Sequence, residues 1–316
     1  MTTIKLRRRA VIGDIRPLAI DIFGITLIAL DEGSFGEVDP GAHVNLRLPS
    51  GLERSYSVTC RSSATGHIEI AVKNEVSGRG GSRELCALAC GTDVEVSPPE
   101  NSFALDPGDS AAVLVAAGIG ITPLWSMIAS LEEQGRLWRL HYASRSPAHC
   151  AFRAELEALE AAAPGRVHFA FSDLGQRLNL AEIVAAVGPD EGIYCCGPDR
   201  ITHEFSTLTS HLGARAHLED FTVAEVAAGG YEVVLARSGQ TLTIEDGGTI
   251  LDAVLEAGIE PEYSCMSGTC GSCEVAILEG EATHEDFYLS EDEKALNDRM
   301  MICCSGSRGK RLVIDL

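Results

Sequence analysis

Alternating hydrophobic and polar residues mark the first third of the chain. The runs at 44–48, 56–59 and 68–72 alternate in the way that half-buried strands do. Pro40-Gly41 and the turn-forming residues at 49–51 separate the runs. We therefore predict a small antiparallel β-barrel over residues 1–106, ending near the Pro- and Gly-rich turns at 98–99 and 106–109.

From Ala111 the pattern changes to strands that alternate with helices. Strands are predicted at 111–116, 138–142, 167–171 and 192–195, with helices at 124–133, 151–162 and 180–187. This alternation predicts a parallel sheet flanked by helices over residues 107–224. A final helix near 202–212 is expected to complete this domain.

A third unit follows a short, small-residue stretch at 225–230, which we interpret as a linker. Residues 231–316 show their own strands at 231–236, 241–245 and 274–278, with a helix at 250–257. Between that helix and the third strand lies a cysteine-rich loop. The pattern therefore predicts three domains in a chain of 316 residues.

Charge restricts the classes of partner. The formal net charge is −21, which argues against nucleic-acid binding because phosphate would be repelled. Residues 231–316 hold 17 Asp+Glu and 6 Lys+Arg, a net of −11, whereas the other 230 residues hold 29 and 19, a net of −10. The last domain is thus a candidate docking surface for a basic protein, although an acidic surface also serves solubility alone.

The eleven cysteines do not indicate a disulfide framework. Their count is odd and no apolar secretory segment follows the basic N-terminus. We expect a reducing, cytoplasmic compartment. The uncharged stretch 111–129 contains Gly118, Gly120 and Pro123, so we interpret it as strand, turn and helix start and expect no membrane span.

Four cysteines have the spacing of a plant-type [2Fe–2S] cluster. Cys265, Cys270 and Cys273 follow C-x4-C-x2-C, and 29 residues separate Cys273 from Cys303. Small residues between the ligands let backbone N–H groups turn toward the sulfurs. A zinc site would more naturally show two C-x2-C pairs. Cys304 is the rival for the fourth ligand, and we predict Cys303.

A one-electron cluster fed by a two-electron hydride donor needs a flavin between them. Arg54-Ser55-Tyr56-Ser57, in a predicted barrel strand, resembles the R-x-Y-S flavin motif of the ferredoxin-NADP reductase superfamily, although four residues alone are weak support. The glycine-rich run Gly78-Arg79-Gly80-Gly81-Ser82 follows, where backbone N–H groups can face an anion. Together the two motifs predict a flavin phosphate site in the barrel.

Two further motifs predict a pyridine-nucleotide site. Ala117-Gly118-Ile119-Gly120-Ile121-Thr122-Pro123 follows a buried strand and opens a helix, although it is not a full G-x-G-x-x-G. Tyr194-Cys195-Cys196-Gly197-Pro198 ends another strand and resembles the nicotinamide-side signature of the same superfamily. An ordinary strand-to-helix turn and buried filler cysteines are the competing interpretations.

Taken together, these motifs resemble the phthalate dioxygenase reductase family over essentially the whole chain, and reductases of vanillate demethylase and carnitine monooxygenase look similar. The resemblance implies an antiparallel flavin barrel, an NAD(P)H-binding α/β domain and a C-terminal β-grasp ferredoxin domain. It implies FMN rather than FAD, held by a set of residues from the barrel and the end of the second domain: Arg54, Tyr56, Ser57, Ala71, Val72, Lys73, Gly80, Gly81, Ser82 and Phe221.

The resemblance also implies NADH as donor. The nucleotide residues it implies are Gly118, Gly120, Thr122, Ser144, Arg145, Cys196, Gly197 and Pro198. Cys196 is expected near the nicotinamide, and Ser57 or Thr122 is expected to orient the reacting ring; these three are the candidate catalytic residues. Ser144 and Arg145 at a strand end leave NADPH open, because Ser and Arg there can hold a 2′-phosphate.

The resulting prediction is an electron-transfer reductase that takes electrons from NADH through FMN and [2Fe–2S] to a separate Rieske-type, ring-hydroxylating or O-demethylating oxygenase. Two alternatives remain: a reductase for a cytochrome P450, and a non-enzymatic redox sensor or cluster carrier. The oxygenase itself is not expected here, since the chain has no Cys-x-His Rieske pair.

Overall fold

The computed structural model describes residues 7–30, 35–36, 38–62, 66–76, 78, 80–221 and 226–316. Arg79 of the glycine-rich run and Glu225, the first residue of the predicted linker, lie outside these ranges. Compactness divides the chain into two units. One contains residues 7–49 and 56–221, and the other contains residues 50–55 and 226–316. The predicted three-domain boundaries remain a prediction.

The first unit begins with a closed, six-stranded antiparallel barrel, as predicted. Its strand order is β1-β2-β5-β4-β3-β6. The strands are β1 (Arg8–Ala19), β2 (Ile22–Ala29), β3 (His43–Arg47), β4 (Glu53–Ser62), β5 (His67–Lys73) and β6 (Asp93–Val96). Asp21, with φ of 60°, makes the tight turn between β1 and β2. The short helix α1 (Gly81–Ala87) lies between β5 and β6.

A five-stranded parallel sheet follows in the same unit, in the order β11-β10-β7-β8-β9. The strands are β7 (Ala111–Ala117), β8 (Leu137–Ser144), β9 (Val167–Phe171), β10 (Glu191–Gly197) and β11 (Ala216–Asp220). The helices are α2 (Ile121–Gln134), α3 (Arg153–Ala162), α4 (Leu180–Ala185) and α5 (Asp199–Thr209). β7 is buried at every position, which explains its continuous apolar run.

Barrel and sheet share a hydrophobic core within this unit. Ile22, Ala71 and Phe103 belong to the same buried cluster as Leu114 and Tyr194 of the sheet. Backbone hydrogen bonds reinforce the junction, for example from the N–H of Ile20 to the carbonyl of Ala148 at 2.9 Å. Because apolar contact is continuous across the junction, the barrel and the α/β layer hold their site residues in a fixed relation.

The second unit is built on a mixed sheet with the strand order β13-β12-β18-β14-β16. Its strands are β12 (Tyr231–Leu235), β13 (Thr241–Ile244), β14 (Glu274–Glu279), β16 (Arg299–Met301) and β18 (Arg311–Ile314), with β15 (Ala282–Thr283) and β17 (Gly306–Ser307) forming a separate pair. Its helices are α6 (Ile250–Glu256) and α7 (Glu291–Leu296). α6 buries Ile250, Leu251 and Val254 against the sheet, as expected for a β-grasp ferredoxin domain.

Two sequence expectations about elements are wrong. The α/β domain does not end with a helix near 202–212: α5 stops at Thr209 and β11 adds an edge strand at 216–220. Gly81 and Ser82 are not loop residues but the first turn of α1. Among the described residues no helix is both long and apolar enough to cross a bilayer.

Candidate functional site

The structure brings the four predicted cluster cysteines into two pairs. Cys265 and Cys270 lie half-buried in the loop between α6 and β14, close enough for a thiol–thiol hydrogen bond. Cys273 and Cys303 are buried, and their sulfurs form a second such pair. Hydrogen bonding within the pairs lowers the pKa of Cys265 and Cys273 and raises the pKa of Cys270 and Cys303.

A two-plus-two arrangement of thiols fits a dinuclear cluster. Each iron of a [2Fe–2S] centre takes two protein thiolates, with sulfides bridging the irons. Within the described ranges no group of three or more His, Cys, Asp or Glu side chains could hold a single metal ion. The backbone N–H of Ser267 also points at the sulfur of Cys265, at 3.4 Å, the kind of contact that stabilises a cluster thiolate. The residues present therefore fit the group.

Cys303 and Cys304 differ in what their sulfurs face. The sulfur of Cys303 meets both Cys273 of the loop and the neighbouring Cys304. The sulfur of Cys304 contacts Cys303, the carbonyl of Met301 at 3.8 Å and the hydroxyl of Ser305 at 3.9 Å, whereas the side-chain partner of Cys273 is Cys303. This geometry supports Cys303 as the fourth ligand.

Glycine is needed in the cysteine loop because the chain turns sharply there. Gly268 and Gly271 have φ of 80° and 77°. A Cβ at Gly271 would also lie 2.4 Å from the ring of Tyr288. Both positions therefore need glycine for their backbone conformation, and at Gly271 any side chain would also collide with the Tyr288 ring.

The predicted flavin residues Arg54, Tyr56 and Ser57 all lie on β4. Arg54 is half-buried, and its guanidinium donates to the carbonyl of Glu53 at 2.5 Å. Ser57 is 3% exposed, and its hydroxyl has no hydrogen-bond partner among the described residues. A buried hydroxyl without a partner is costly unless a ligand supplies one. Ser57 therefore fits the predicted role of a flavin contact.

The other predicted flavin residues lie on β5, on α1 and after β11. Ala71 and Val72 are buried, whereas Lys73 is exposed and pairs with Glu75 at 2.7 Å. Gly80 has a left-handed φ of 86° just before α1, and the Ser82 hydroxyl accepts from the N–H of Glu75 at 3.2 Å. Phe221 packs against the buried cluster that contains Ala71 and Cys196.

The two predicted nucleotide motifs contact each other. Gly118–Gly120 forms a single 3-10 turn between β7 and α2 and packs against β5 of the barrel. A Cβ on Gly120 would lie 2.2 Å from the carbonyl oxygen of Cys196, and one on Gly197 would lie 2.9 Å from the Cβ of Ala117. The carboxyl ends of β7 and β10 thus meet without side chains between them, as in crevices that bind nucleotides.

Thr122 stands in the first turn of α2 and is 2% exposed. Its hydroxyl donates to the carbonyl of Ile119 at 3.0 Å. Pro198 precedes α5 as its N-terminal flanking residue. Both therefore sit where a helix begins beside a strand end.

Ser144 and Arg145 differ in what they can offer a ligand. The Ser144 hydroxyl donates to the carbonyl of Ser146 at 2.9 Å and is buried, so its proton is already used. Arg145 is exposed. Of the two, the arginine alone has a free donor group for a phosphate at this strand end, within the described part of the chain.

Glu219 belongs to this site and is missing from the sequence prediction, which used only Phe221 of Glu219-Asp220-Phe221. It lies beside Cys196 in the register of β10 and β11. Its Oε2 is enclosed and has no hydrogen-bond partner among the described residues. Burial raises the pKa of Glu219 to about 8 and that of the Cys196 thiol well above its usual range. The sequence carries no signal for Glu219, because no strand is predicted at 216–220 and its burial arises only from the pairing of β11 with β10.

Comparison with known families finds three matches along the chain. Residues 30–104 match an oxidoreductase FAD-binding domain, residues 114–204 an oxidoreductase NAD-binding domain, and residues 233–306 a 2Fe-2S iron-sulfur cluster binding domain. The order of the matches is that of the barrel, the parallel sheet and the mixed sheet, although each match leaves out strands at the ends, such as β1 and β2 of the barrel.

Three individual proteins are similar over the full chain. The phenoxybenzoate dioxygenase subunit beta of Ectopseudomonas oleovorans is 45% identical over 303 residues, covering 94% of each chain. A solved phthalate dioxygenase reductase, described as a modular structure for electron transfer from pyridine nucleotides to [2Fe–2S], is 33% identical with a TM-score of 0.88 and 98% coverage of each chain. An intact type IV self-sufficient cytochrome P450 monooxygenase is 31% identical with a TM-score of 0.70; the match covers 100% of this chain and 43% of that one.

Proposed function

Because the chain belongs to the phthalate dioxygenase reductase family, we propose that it passes electrons from NADH through FMN and a [2Fe–2S] cluster to a separate Rieske-type terminal oxygenase. The chain is an oxidoreductase with flavin, NAD and 2Fe-2S domains. The observation that carries the proposal is the set of three cofactor-site geometries on one chain, with two meeting in one unit at the Gly118–Gly120 turn and β5.

When bound, the flavin would accept one hydride, which carries two electrons, and would supply these electrons singly to the cluster. The chain's own residues bind and orient. Gly118 has open space beside its α-carbon, and Gly120 and Gly197 let the carboxyl ends of β7 and β10 pack closely, while Ser57 offers its unpartnered hydroxyl to the flavin. Phe221 and the buried β5 residues exclude water from this crevice.

We assign Cys196, Ser57 and Thr122 positioning roles at the hydride-transfer site, with no acid–base step required of them. The fully buried Cys196 thiol has a raised pKa and stays neutral. A neutral thiol offers a small, polarisable surface against which a nicotinamide ring can pack. The hydroxyl of Thr122, bonded to Ile119, fixes the start of α2 beside the same crevice.

FMN rather than FAD, and NADH rather than NADPH, are part of this proposal. The Ser144 hydroxyl is committed to Ser146, which leaves Arg145 as the single predicted group for a 2′-phosphate. Extracting the flavin from the purified protein and separating FMN from FAD tests the first choice. Comparing kcat/KM for NADH and NADPH tests the second, and a preference for NADPH would contradict it.

A cytoplasmic location is also proposed. None of the eleven cysteines, all of which the structure describes, forms a disulfide, and two of them, Cys60 and Cys90, are exposed. Exposed thiols and thiolate cluster ligands are preserved in a reducing compartment.

The cytochrome P450 reductase is the second candidate, favoured by the similarity to the reductase-sized part of the self-sufficient P450. The two candidates differ only in the acceptor. Purified Rieske oxygenase and purified P450 encoded near the gene, each supplied separately with NADH and this protein, would distinguish them: the proposal requires turnover of the oxygenase.

A sensor or cluster carrier would bind NADH without turning it over. Steady-state NADH oxidation with cytochrome c as acceptor tests this directly. Multiple turnovers that need both flavin and cluster support the reductase. A protein fully loaded with both cofactors that does not turn over would contradict it.

A further inference from the structure

Two aromatic side chains stand exposed beside the cysteine loop. Phe287 is 60% exposed and Tyr288 is 51% exposed. Their segment contacts the loop twice: the N–H of Phe287 donates to the carbonyl of Gly268 at 3.0 Å, and the Tyr288 ring lies over Gly271. We call Phe287 and Tyr288 the aromatic cap. Exposed large apolar side chains next to a redox centre indicate an interaction site.

The cap is exposed on a firmly anchored segment. On one side the buried carboxylate of Asp286 accepts from the N–H of Leu289 at 2.8 Å and from the hydroxyl of Ser305 at 3.2 Å. On the other side Leu289 is 4% exposed and Ser290 begins α7 with a capping box. Since both flanks are fixed, the two rings are presented to solvent by a rigid support.

Charge along the segment that carries the cap is mainly acidic. Residues 238–293 contain 14 Asp and Glu and no Lys or Arg, and the cysteine loop and the cap both fall inside this run. Glu291 and Asp292 are exposed in the first turn of α7, shortly after the cap in sequence, and Glu291 also pairs with Lys294 of the same helix at 3.1 Å. The surface that carries the cap therefore favours a partner with a basic face.

We infer that the aromatic cap is the docking centre for a basic protein acceptor, and that the acidic residues after it form the steering rim. The inference rests on the proposed function and specifies where its electron leaves. Exposed aromatics at the centre of a charged rim match the usual composition of interface hot spots. The occupant is the basic face of the terminal oxygenase.

The step itself is a single electron transfer. One electron leaves the reduced cluster and enters the oxidised acceptor, with no bond formed or broken and no proton moved. The Tyr288 ring touches the loop at Gly271, next to the ligand Cys270. A partner seated on the cap would therefore lie against the protein layer that covers this ligand.

Cytochrome c, a basic haem protein, serves as the probe acceptor, and ferricyanide serves as a small acceptor that needs no docking surface. The variants are Phe287→Ser for the cap and the pair Glu291→Lys with Asp292→Lys for the rim. Leu278→Ala is the matched control, because Leu278 is 52% exposed but lies on β14, outside the loop and the cap. Phe287 is preferred to Tyr288 because its ring is not packed on Gly271.

We expect Phe287→Ser to lower the second-order rate constant for cytochrome c about tenfold at low salt, as loss of a hot-spot aromatic does. The rim variant is expected to lower the rate at low salt and to flatten its dependence on ionic strength. Cluster content should match that of the unchanged protein in all three variants. Ferricyanide reduction should be unchanged in Phe287→Ser and Leu278→Ala, and should be no slower in the rim variant, because ferricyanide is an anion and the rim variant removes negative charge. Leu278→Ala should also reduce cytochrome c normally.

Equal cytochrome c rates for Phe287→Ser and the unchanged protein would overturn the docking inference and leave the reductase function standing. Equal loss in Leu278→Ala would also overturn it, because the effect would then not be local to the cap. A failure of the unchanged, cofactor-loaded protein to reduce ferricyanide with NADH would instead refute the proposed function.

Discussion

Replacing Glu219 by Gln removes a titratable carboxyl from the crevice beside Cys196 while keeping its shape. In the folded protein burial raises the pKa of Glu219 to about 8, from 4.5 for an ordinary glutamate. Between these two values the folded state keeps the proton and the unfolded state releases it. Raising the pH through this window therefore favours unfolding.

The magnitude follows from the width of the window. At about 1.4 kcal/mol for each pH unit, the full difference corresponds to about 5 kcal/mol at most. The side chain is half-buried, so part of this is relieved, and we expect about 2 to 5 kcal/mol. Below pH 4.5 the carboxyl is protonated in both states and contributes no pH dependence; above pH 8 the penalty is complete.

Urea unfolding of the FMN-saturated protein, followed by tryptophan fluorescence, measures this effect. Both tryptophans, Trp125 and Trp138, lie in the α/β layer with Glu219. The free energy of unfolding of the unchanged protein should fall between pH 5 and pH 8. For Glu219→Gln it should fall by about 2 to 5 kcal/mol less. Glu204→Gln, at an exposed position of α5, is the control and should follow the unchanged protein. Parallel curves for Glu219→Gln and the unchanged protein would refute the reasoning.

Two further substitutions test the predicted sites. Gly120→Ala places a methyl group 2.2 Å from the Cys196 carbonyl, so we expect it to cost about 1–3 kcal/mol of stability and to raise KM for NADH. Gly309→Ala, whose nearest neighbour would lie 4.0 Å away, should change neither the unfolding curve nor KM, and an unperturbed Gly120→Ala would contradict the packing of the crevice. Cys303→Ser should abolish the cluster, measured as iron and sulfide per chain, whereas Cys304→Ser should retain it; the reverse result would move the fourth ligand to Cys304.

The pattern of apolar residues was sufficient to predict strands β7 to β10 of the parallel sheet. β7 is buried at every residue, and β9, although partly exposed, is bounded by the same residues as its predicted run. β11 is different, because Ala216–Asp220 is an edge strand with a polar, histidine- and acid-containing sequence. This segment forms a strand because it pairs with β10. No local sequence pattern predicts that pairing.

The candidate site likewise contains residues that the sequence predicts and residues that it does not predict. The cysteine spacing predicts four residues that the fold places in two pairs, since covalent ligation imposes spacing directly on the sequence. Glu219 has no such signature: its raised pKa is a consequence of burial beside Cys196, which only the tertiary structure creates. α1 was missed because it begins with Gly81, a residue that disfavours helix and is accepted here after the left-handed Gly80.

Anaerobic titration of the cofactor-loaded protein with NADH tests the central claim most directly. The account predicts that flavin and cluster absorbance fall together as NADH is added, because both centres belong to one electron-transfer route. Bleaching of the flavin with unchanged cluster absorbance would contradict it.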